Sequence, residues 1–302
     1  MSLVPRRPLG RTGLHTTLIG FGALEIGRDW GIGDPDARKR PSEQDAGRTL
    51  GRVLDLGVNI LDTASAYHRS EERIGASVAA RRGEYILATK CGEHNREPST
   101  YYDFSHDAIA ASITNSLRLL RTDVIDVLQI HFGPDPEKVL DDGGCVRAMK
   151  EARERGQVRF LGASIDGPLL DRCIDCGDFD VVQAGYSLLR QDEGDRIAKA
   201  RDRGMGVLIR SGLGGGWLTS HALHVRPSER PPAVMALLDL CGGDAELLTT
   251  LALHFLARHD AISSILVGSK SDRNLAFALS ALASRVDEQL LERATNLVRT
   301  FP

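Results

Sequence analysis

The sequence predicts an α/β protein, and within that class a (β/α)8 barrel, also called a TIM barrel. Short apolar runs of strand length recur eight times, at 18–21, 59–62, 86–90, 124–131, 159–163, 181–184, 207–210 and 264–267. Amphipathic stretches of helical length separate most of these runs, and polar side chains stand where several runs end. Eight strand–helix units are the count of such a barrel, whereas a doubly wound sheet normally has fewer strands.

The predicted helices show apolar positions at a helical spacing. They span residues 48–56, 108–120, 146–155, 168–176 and 196–203. Two of them end in arginine followed by glycine, at Arg155-Gly156 and Arg203-Gly204, which is a typical helix stop.

Two segments lie outside the repeat. Residues 5–17 carry turn signals at Gly10 and Gly13 between short extended pieces, which predicts an N-terminal β-hairpin across the barrel floor. Residues 211–245 are rich in glycine, serine and proline and are expected to form a long functional loop on the catalytic face. No linker or internal repeat divides the chain, so residues 1–302 are predicted to form one domain.

Composition excludes several classes of protein. The chain of 302 residues is 42% hydrophobic and 26% charged, with a net charge of −3 and no basic stripe, so nucleic acid is not an expected partner. No apolar run approaches the length of a membrane span or a signal peptide, which predicts a cytoplasmic protein without a membrane partner. The sequence contains no metal-binding motif, and the five cysteines form no evident disulfide framework.

Four polar residues, Asp62, Tyr67, Lys90 and His131, stand at or just past the ends of the second, third and fourth runs. The carboxyl ends of barrel strands form the catalytic face. A tyrosine donates a proton near neutral pH when its anion is stabilised, which an ammonium group held by a carboxylate can do. The set therefore suggests Tyr67 as acid, Lys90 as tuning cation, Asp62 as partner of the lysine, and His131 as a group that orients a carbonyl.

The reaction remains open on these residues alone. Taken singly, each of the four is typical of a structural ion pair, packed ring or hydrogen-bonded strand end. Together they suit protonation of an oxygen while a bound cofactor delivers a hydride. A Schiff-base aldolase that uses Lys90 is an alternative from another enzyme class. A non-catalytic, cofactor-sensing subunit is a further alternative.

The chain resembles the aldo-keto reductase family over nearly its full length. The motifs that carry the resemblance are Pro8-Leu-Gly-Arg-Thr-Gly-Leu14, Asn59-Ile-Leu-Asp-Thr-Ala-Ser-Ala-Tyr67, Ala88-Thr-Lys90, Leu128-Gln-Ile-His131 and Val182-Gln-Ala-Gly-Tyr-Ser-Leu188. The resemblance implies the same barrel, with Tyr67 as general acid/base assisted by Asp62, Lys90 and His131. It also implies hydride transfer between a nicotinamide cofactor and a small carbonyl or alcohol substrate, such as an aldehyde, a ketone or an aldose. An NAD(P)-dependent sugar or alcohol dehydrogenase of the same family is an alternative.

The resemblance further implies a set of cofactor-binding residues. Gly22 and Thr63 would border the nicotinamide, and Ser164, Gln183 and Tyr186 belong to the segments that hold it. The glycine-rich segment after the seventh strand corresponds to the pyrophosphate loop and contributes Arg210, Ser211, Leu213 and Gly215. Gly268, Ser269, Lys270, Ser271 and Arg273 match the last cofactor segment, whose cations favour NADP(H), with NAD(H) possible.

The sequence departs from the family pattern at the cofactor site. Ile165 replaces an asparagine, Arg210 replaces a tyrosine that often stacks on the nicotinamide, and Phe277-Ala278 replaces a Glu-Asn pair. Loop position predicts a substrate pocket lined by Trp30, His68, Phe132, Tyr101, Tyr102 and Trp217. The protein is expected to be a monomer or a small homo-oligomer.

Overall fold

Parallel strands close into a barrel in the computed structural model, which describes residues 4–301. The first three residues and Pro302 of the predicted domain lie outside the described range. Within that range the barrel has eight strands, in the order β3-β4-β5-β8-β9-β10-β11-β12, and β12 pairs with β3 to close it. The strands are β3 (Ile19–Gly22), β4 (Ile60–Asp62), β5 (Ile86–Cys91), β8 (Ile125–His131), β9 (Val158–Ser164), β10 (Val181–Gly185), β11 (Gly206–Arg210) and β12 (Ser264–Gly268). The predicted fold class is therefore confirmed, and no strand bound differs from the predicted one by more than one residue.

Helices surround the barrel. Those of the described residues are α1 (Leu24–Gly27), α2 (Pro35–Arg38), α3 (Glu43–Asp55), α4 (Ser70–Val78), α5 (His106–Leu120), α6 (Pro136–Asp142), α7 (Gly144–Glu154), α8 (Pro168–Asp175), α9 (Gly194–Asp202), α10 (Pro232–Leu240), α11 (Ala245–Arg258), α12 (Asp272–Ala283) and α13 (Glu288–Val298). Several begin at a side chain that accepts a backbone N–H. Ser42 caps α3, Ser105 caps α5 and Asp244 caps α11.

The N-terminal hairpin consists of β1 (Arg6–Pro8) and β2 (His15–Thr17), which pair antiparallel. Leu9 is fully buried in the cluster that fills the barrel interior, next to Val181 and Leu208. The backbone N–H of Arg11 donates to Gly204 O at 2.8 Å, just before β11 begins. The hairpin therefore closes the amino-terminal end of the barrel, as predicted, and leaves the carboxyl-terminal end open.

Two segments differ from the sequence-based expectation. The stretch 211–245 is not a plain loop, because it holds the short 3-10 turns Gly214–Gly216, Ser220–His224 and Pro227–Glu229 and the helix α10. A second hairpin, β6 (Glu93–Arg96) with β7 (Ser99–Tyr102), follows β5 and was not predicted. Its strands are four residues long and mostly exposed, so they carry no apolar pattern.

Candidate active site

The strands β4, β5 and β8 bring the four predicted polar side chains together at the open end of the barrel. The Nζ atom of Lys90 donates to Asp62 Oδ2 at 2.5 Å, to the backbone oxygen of Thr63 at 3.0 Å and to the Tyr67 hydroxyl at 3.3 Å. The ring of Tyr67 meets that of His131 edge-on, with centroids 6.0 Å apart. All four residues thus lie in one contiguous group.

Asp62 is the hub of this group. Its Oδ1 atom accepts a hydrogen bond from Gln129 Nε2 at 3.0 Å and another from Gln183 Nε2 at 2.9 Å, while Oδ2 faces Lys90. Gln129 is fully buried and was not among the predicted site residues, although it precedes His131 by two positions on β8 and therefore points to the same side of the strand. The two amides hold the carboxylate in one orientation, and this orientation fixes Lys90 beneath Tyr67.

Burial and charge oppose each other in this group. Burial alone would lower the pKa of Lys90, but Asp62 and Tyr67 outweigh it, so the pKa is raised and the side chain is an ammonium group. Burial raises the pKa of Tyr67, as the Asp62 carboxylate also does, while Lys90 and Arg210 offset part of the rise. Lys90 therefore lowers the pKa of Tyr67, as expected, but by less than burial raises it, and the resting phenol keeps its proton.

The turn that presents Tyr67 is fixed by hydrogen bonds. The Thr63 hydroxyl donates to Ser70 Oγ at 2.8 Å, and the Ser70 hydroxyl donates to the backbone oxygen of Ala23 at 2.8 Å. The backbone N–H of Tyr67 donates to Ala64 O at 3.0 Å. Thr63 is fully buried and acts in this network, so its side chain does not line the cavity.

His131 has an acidic neighbour that the sequence reasoning missed. Its Nδ1 atom is buried and lies 2.9 Å from Glu93 Oε2, an ion-pair distance, without the angle of a hydrogen bond. The other carboxylate oxygen of Glu93 accepts from the Thr100 hydroxyl at 2.6 Å. Burial would raise the pKa of Glu93, but His131 and Thr100 leave it lowered. Glu93 is the first residue of the second hairpin, so its place next to His131 could have been predicted only if that hairpin had been predicted.

A cavity of about 900 Å³ opens above this group. Its wall includes Asp62, Tyr67 and His131, whereas Lys90 lies behind the tyrosine. Most of the predicted cofactor residues also line it, namely Gly22, Ser164, Gln183, Arg210, Ser211, Leu213, Gly215, Gly268, Lys270 and Arg273. Trp30 and Phe132 of the expected substrate pocket line it too, but His68, Tyr101, Tyr102 and Trp217 do not.

The remaining predicted cofactor residues face elsewhere. Tyr186 packs against Phe255 and His259, with ring centroids 5.3 and 5.7 Å away. Ser269 is buried and its hydroxyl donates to Ser271 O, while the Ser271 hydroxyl caps α12. These three side chains are engaged in the protein and do not line the cavity.

Two predicted cations of the cavity wall already have partners. The Nζ atom of Lys270 donates to the backbone oxygens of Trp30 at 3.1 Å and Ala37 at 2.7 Å, and burial lowers its pKa. Arg210 donates to Asp166 Oδ2 at 2.5 Å, where Arg190 also donates, at 2.9 Å. Lys270 therefore links the segment after β12 to the loop after β3 across the cleft. Arg210 stands where the family often has a stacking tyrosine, and its side chain forms an ion pair with Asp166 instead.

Comparison with known proteins places the chain in a family. The model of the aldo/keto reductase family matches residues 18–299. L-galactose dehydrogenase of Arabidopsis thaliana is 30% identical over 96% of this chain and 93% of its own length. The NADH-specific methylglyoxal reductase of Escherichia coli is 26% identical over 91% and 92% of the two chains. An aldo-keto reductase from Bacillus halodurans, solved in its holo form, superimposes with a TM-score of 0.80 at 24% identity, covering 97% of this chain and 96% of that one. The protein is an aldo/keto reductase, and it belongs to a family of oxidoreductases that use nicotinamide cofactors.

The cavity suits such a cofactor. Its volume lies in the upper part of the range for small-molecule sites. A Cβ at Gly215 would meet no atom within 4 Å, so the backbone of the glycine-rich segment after β11 faces open space there. Among the described residues, Gln183 Oε1 accepts only one long hydrogen bond, from Ser164 Oγ at 3.5 Å, and so keeps acceptor capacity toward the cavity. In the described part of the chain, no helix is long and apolar enough to cross a membrane, and no cluster of ligating side chains is arranged for a metal.

Proposed function

We propose that the protein interconverts a small carbonyl compound and the corresponding alcohol, with a nicotinamide cofactor and with Tyr67 as the proton donor and acceptor. The observation that carries the proposal is the position of the Tyr67 hydroxyl, on the cavity wall and 3.3 Å from a buried ammonium group. The cofactor supplies or accepts the hydride when it is bound.

The proposed roles follow from charge and position. In the reductive direction Tyr67 donates its proton to the substrate oxygen, for which its raised pKa keeps the resting phenol protonated. The phenolate that remains is stabilised by Lys90, and Asp62 holds Lys90 in place. His131 lines the cavity beside Tyr67 and orients the substrate oxygen. In the oxidative direction the same phenolate takes the proton back.

We propose NADP(H) as the preferred cofactor. Of the residues expected to meet a 2′-phosphate, Lys270, Ser269 and Ser271 have protein partners. Arg273 lines the cavity and is exposed, and no side chain of residues 4–301 pairs with its guanidinium group. It is therefore the cation that supports the preference. Ser164 and Gln183 would hold the carboxamide, and Ser211, Leu213 and Gly215 the pyrophosphate.

Oxidation of a sugar is the second candidate. It is supported by the similarity to L-galactose dehydrogenase. The similarity to the 6-dehydroglucose reductase of Novosphingobium aromaticivorans, which is 30% identical over 94% of this chain, supports a sugar substrate in the reductive direction. Both directions use the same proposed residues, so the two candidates differ in substrate and not in mechanism.

The test is Tyr67→Phe. Loss of the hydroxyl removes the proton donor but leaves the cavity, so cofactor affinity measured by NADPH fluorescence should be unchanged. Turnover of aldehydes, ketones and aldoses should fall by about 100-fold or more. The matched control is Tyr85→Phe, because Tyr85 is another buried tyrosine, and its hydroxyl has no hydrogen-bond partner within residues 4–301. A Tyr67→Phe enzyme with undiminished turnover would contradict the proposal.

A further inference from the structure

Arg28 lies on the cavity wall near the proposed reacting group. It directly follows α1, and the preceding residue, Gly27, packs so closely on the backbone oxygen of Tyr67 that a Cβ there would overlap it. Its guanidinium group acts electrostatically on Glu93 and Tyr102 of the second hairpin. Arg28 therefore stands between the Tyr67 turn and that hairpin, on the substrate side of the cavity.

The guanidinium group of Arg28 is close enough to Glu93 to act on its charge, but it is not bonded to any side chain of residues 4–301. Within residues 4–301 it makes no hydrogen bond and no ion pair, although the side chain is half-buried. The nearby Glu93 carboxylate is occupied, since one oxygen accepts from Thr100 and the other faces His131. The other arginine at the proposed reacting end, Arg210, is already held in an ion pair with Asp166. The five donors of this half-buried guanidinium group face the cavity and are available to the acceptors of water or of a ligand.

The loop that carries Arg28 does not need its side chain. The backbone N–H of Arg28 donates to Leu24 O at 2.9 Å, and that of Trp30 donates to Arg38 O at 2.8 Å. Arg40 donates to Gly27 O at 3.0 Å. Backbone contacts and a different arginine thus hold this segment, which leaves the Arg28 side chain free to act on a ligand.

The wall of the same cavity also carries the aromatic side chains of Trp30 and Phe132. Trp30 is 47% exposed, and Phe132 follows β8 directly after His131. Aromatic faces of this kind cover the carbon skeleton of a small substrate, while a planar guanidinium group matches the two oxygens of a carboxylate.

We propose that Arg28 binds a carboxylate group of the substrate, so that the enzyme prefers carbonyl or alcohol substrates that carry a carboxylate away from the reacting carbon. This inference rests on the proposed function. It makes Arg28 a specificity-determining residue that touches the substrate and takes no part in proton transfer.

The kinetic test compares substrates that differ in the carboxylate. Succinic semialdehyde is paired with butanal, and D-glucuronate with D-glucose. The wild-type protein should favour the carboxylate member of each pair in kcat/KM. Arg28→Met should lower kcat/KM for that member by about 10- to 100-fold, mainly through KM, and change the neutral member little. Arg28→Lys keeps the charge but loses the planar guanidinium group, so its kcat/KM for the carboxylate substrate should lie between those of the wild type and of Arg28→Met.

The control is Lys39→Met. Lys39 is exposed on the same loop, pairs with Asp36 at 2.7 Å and does not line the cavity. The substitution Lys39→Met therefore removes one positive charge, as Arg28→Met does, but outside the cavity. If Arg28→Met affects both members of a pair equally while turnover persists, the inference is wrong and the proposed function stands.

A binding measurement decides the inference without turnover. Succinate and butanediol are titrated against the protein loaded with oxidised cofactor, and tryptophan fluorescence is followed, since Trp30 lines the cavity. Succinate should bind at least about tenfold more weakly to Arg28→Met than to the wild type and to Lys39→Met. Equal succinate affinity in all three proteins, or none in any of them, overturns the inference.

Discussion

Glu71 is a carboxyl group buried within the protein, behind the proposed active site. It lies on α4 and is 2% exposed. Its Oε1 atom accepts from the Thr89 hydroxyl at 2.6 Å, and Oε2 accepts from the Ser116 hydroxyl at 3.1 Å. No cation pairs with it directly among the described residues. Burial raises its pKa from the ordinary value of 4.5 to about 7, because the two hydroxyls and the more distant Lys90 compensate only in part.

This raised pKa makes the stability of the fold fall as the pH rises. Between pH 4.5 and 7 the folded protein keeps the proton of Glu71 while the unfolded chain releases it. The unfolded state then binds fewer protons, so the free energy of unfolding decreases over that interval and is fully reduced above it. The pKa difference corresponds to about 3 kcal/mol in total, of which roughly 2–3 kcal/mol falls between pH 5 and pH 8.

Glu71→Gln removes this titration and keeps the shape of the side chain. The Gln carbonyl can accept from Thr89, and its amide can donate to Ser116 once that hydroxyl rotates. Urea unfolding at pH 5 and pH 8 gives the free energy of unfolding for both proteins, and unchanged slopes show that the same surface unfolds. The difference in free energy of unfolding, variant minus wild type, should increase by roughly 2–3 kcal/mol from pH 5 to pH 8.

The control for this measurement is Glu72→Gln, one position along the same helix. Glu72 is exposed and makes a surface ion pair with Arg69 at 3.0 Å, so its replacement should shift stability little at either pH. An equal stability difference between Glu71→Gln and the wild type at pH 5 and pH 8 would refute the reasoning.

Two further predictions concern the barrel floor and the cofactor. Gly10→Ala should destabilise the protein by about 2 kcal/mol or more in urea unfolding, because φ of Gly10 is +53° and a Cβ there would overlap the backbone of Gly206. The control is Gly13→Ala, which should cost about 1 kcal/mol, because φ of Gly13 is +74° but a Cβ there would enter open space. Equal losses of stability in the two variants would contradict the proposed overlap at Gly10. Arg273→Ala should weaken NADPH binding by about tenfold or more in fluorescence titrations and leave NADH binding unchanged, and a parallel loss for both cofactors would contradict a 2′-phosphate contact.

Local patterns predicted the elements of the barrel well. The apolar run at 86–90 became β5 (Ile86–Cys91), and the periodic stretch at 108–120 became α5 (His106–Leu120), because burial of a strand or of one helix face leaves its period in the sequence. The second hairpin escaped prediction, since the solvent-exposed residues of its short strands bury no regular face.

The partners of site residues were harder to predict than their positions. Lys270 was expected to meet a phosphate, yet it donates to Trp30 O, 240 positions away in the chain. Gln183 donates to Asp62 across 121 positions. Such contacts depend on how segments from distant parts of the chain pack together at the open end of the barrel. The periodicity of a local sequence carries no information about that packing.

The sequence by itself determined the eight-stranded barrel, the face on which the polar strand ends emerge, and the identity of Asp62, Tyr67, Lys90 and His131 as one group. These follow from short-range periodicity and from the rule that parallel barrel strands share one carboxyl-terminal face. The Lys90–Asp62 pair was expected from the sequence, but only the tertiary structure decided the other pairings: Arg210 pairs with Asp166, and the Arg28 side chain makes no ion pair or hydrogen bond within residues 4–301. The reason is physical, since the free energy of a charge depends on burial and on neighbours within a few ångströms, and folding brings those neighbours from distant parts of the chain.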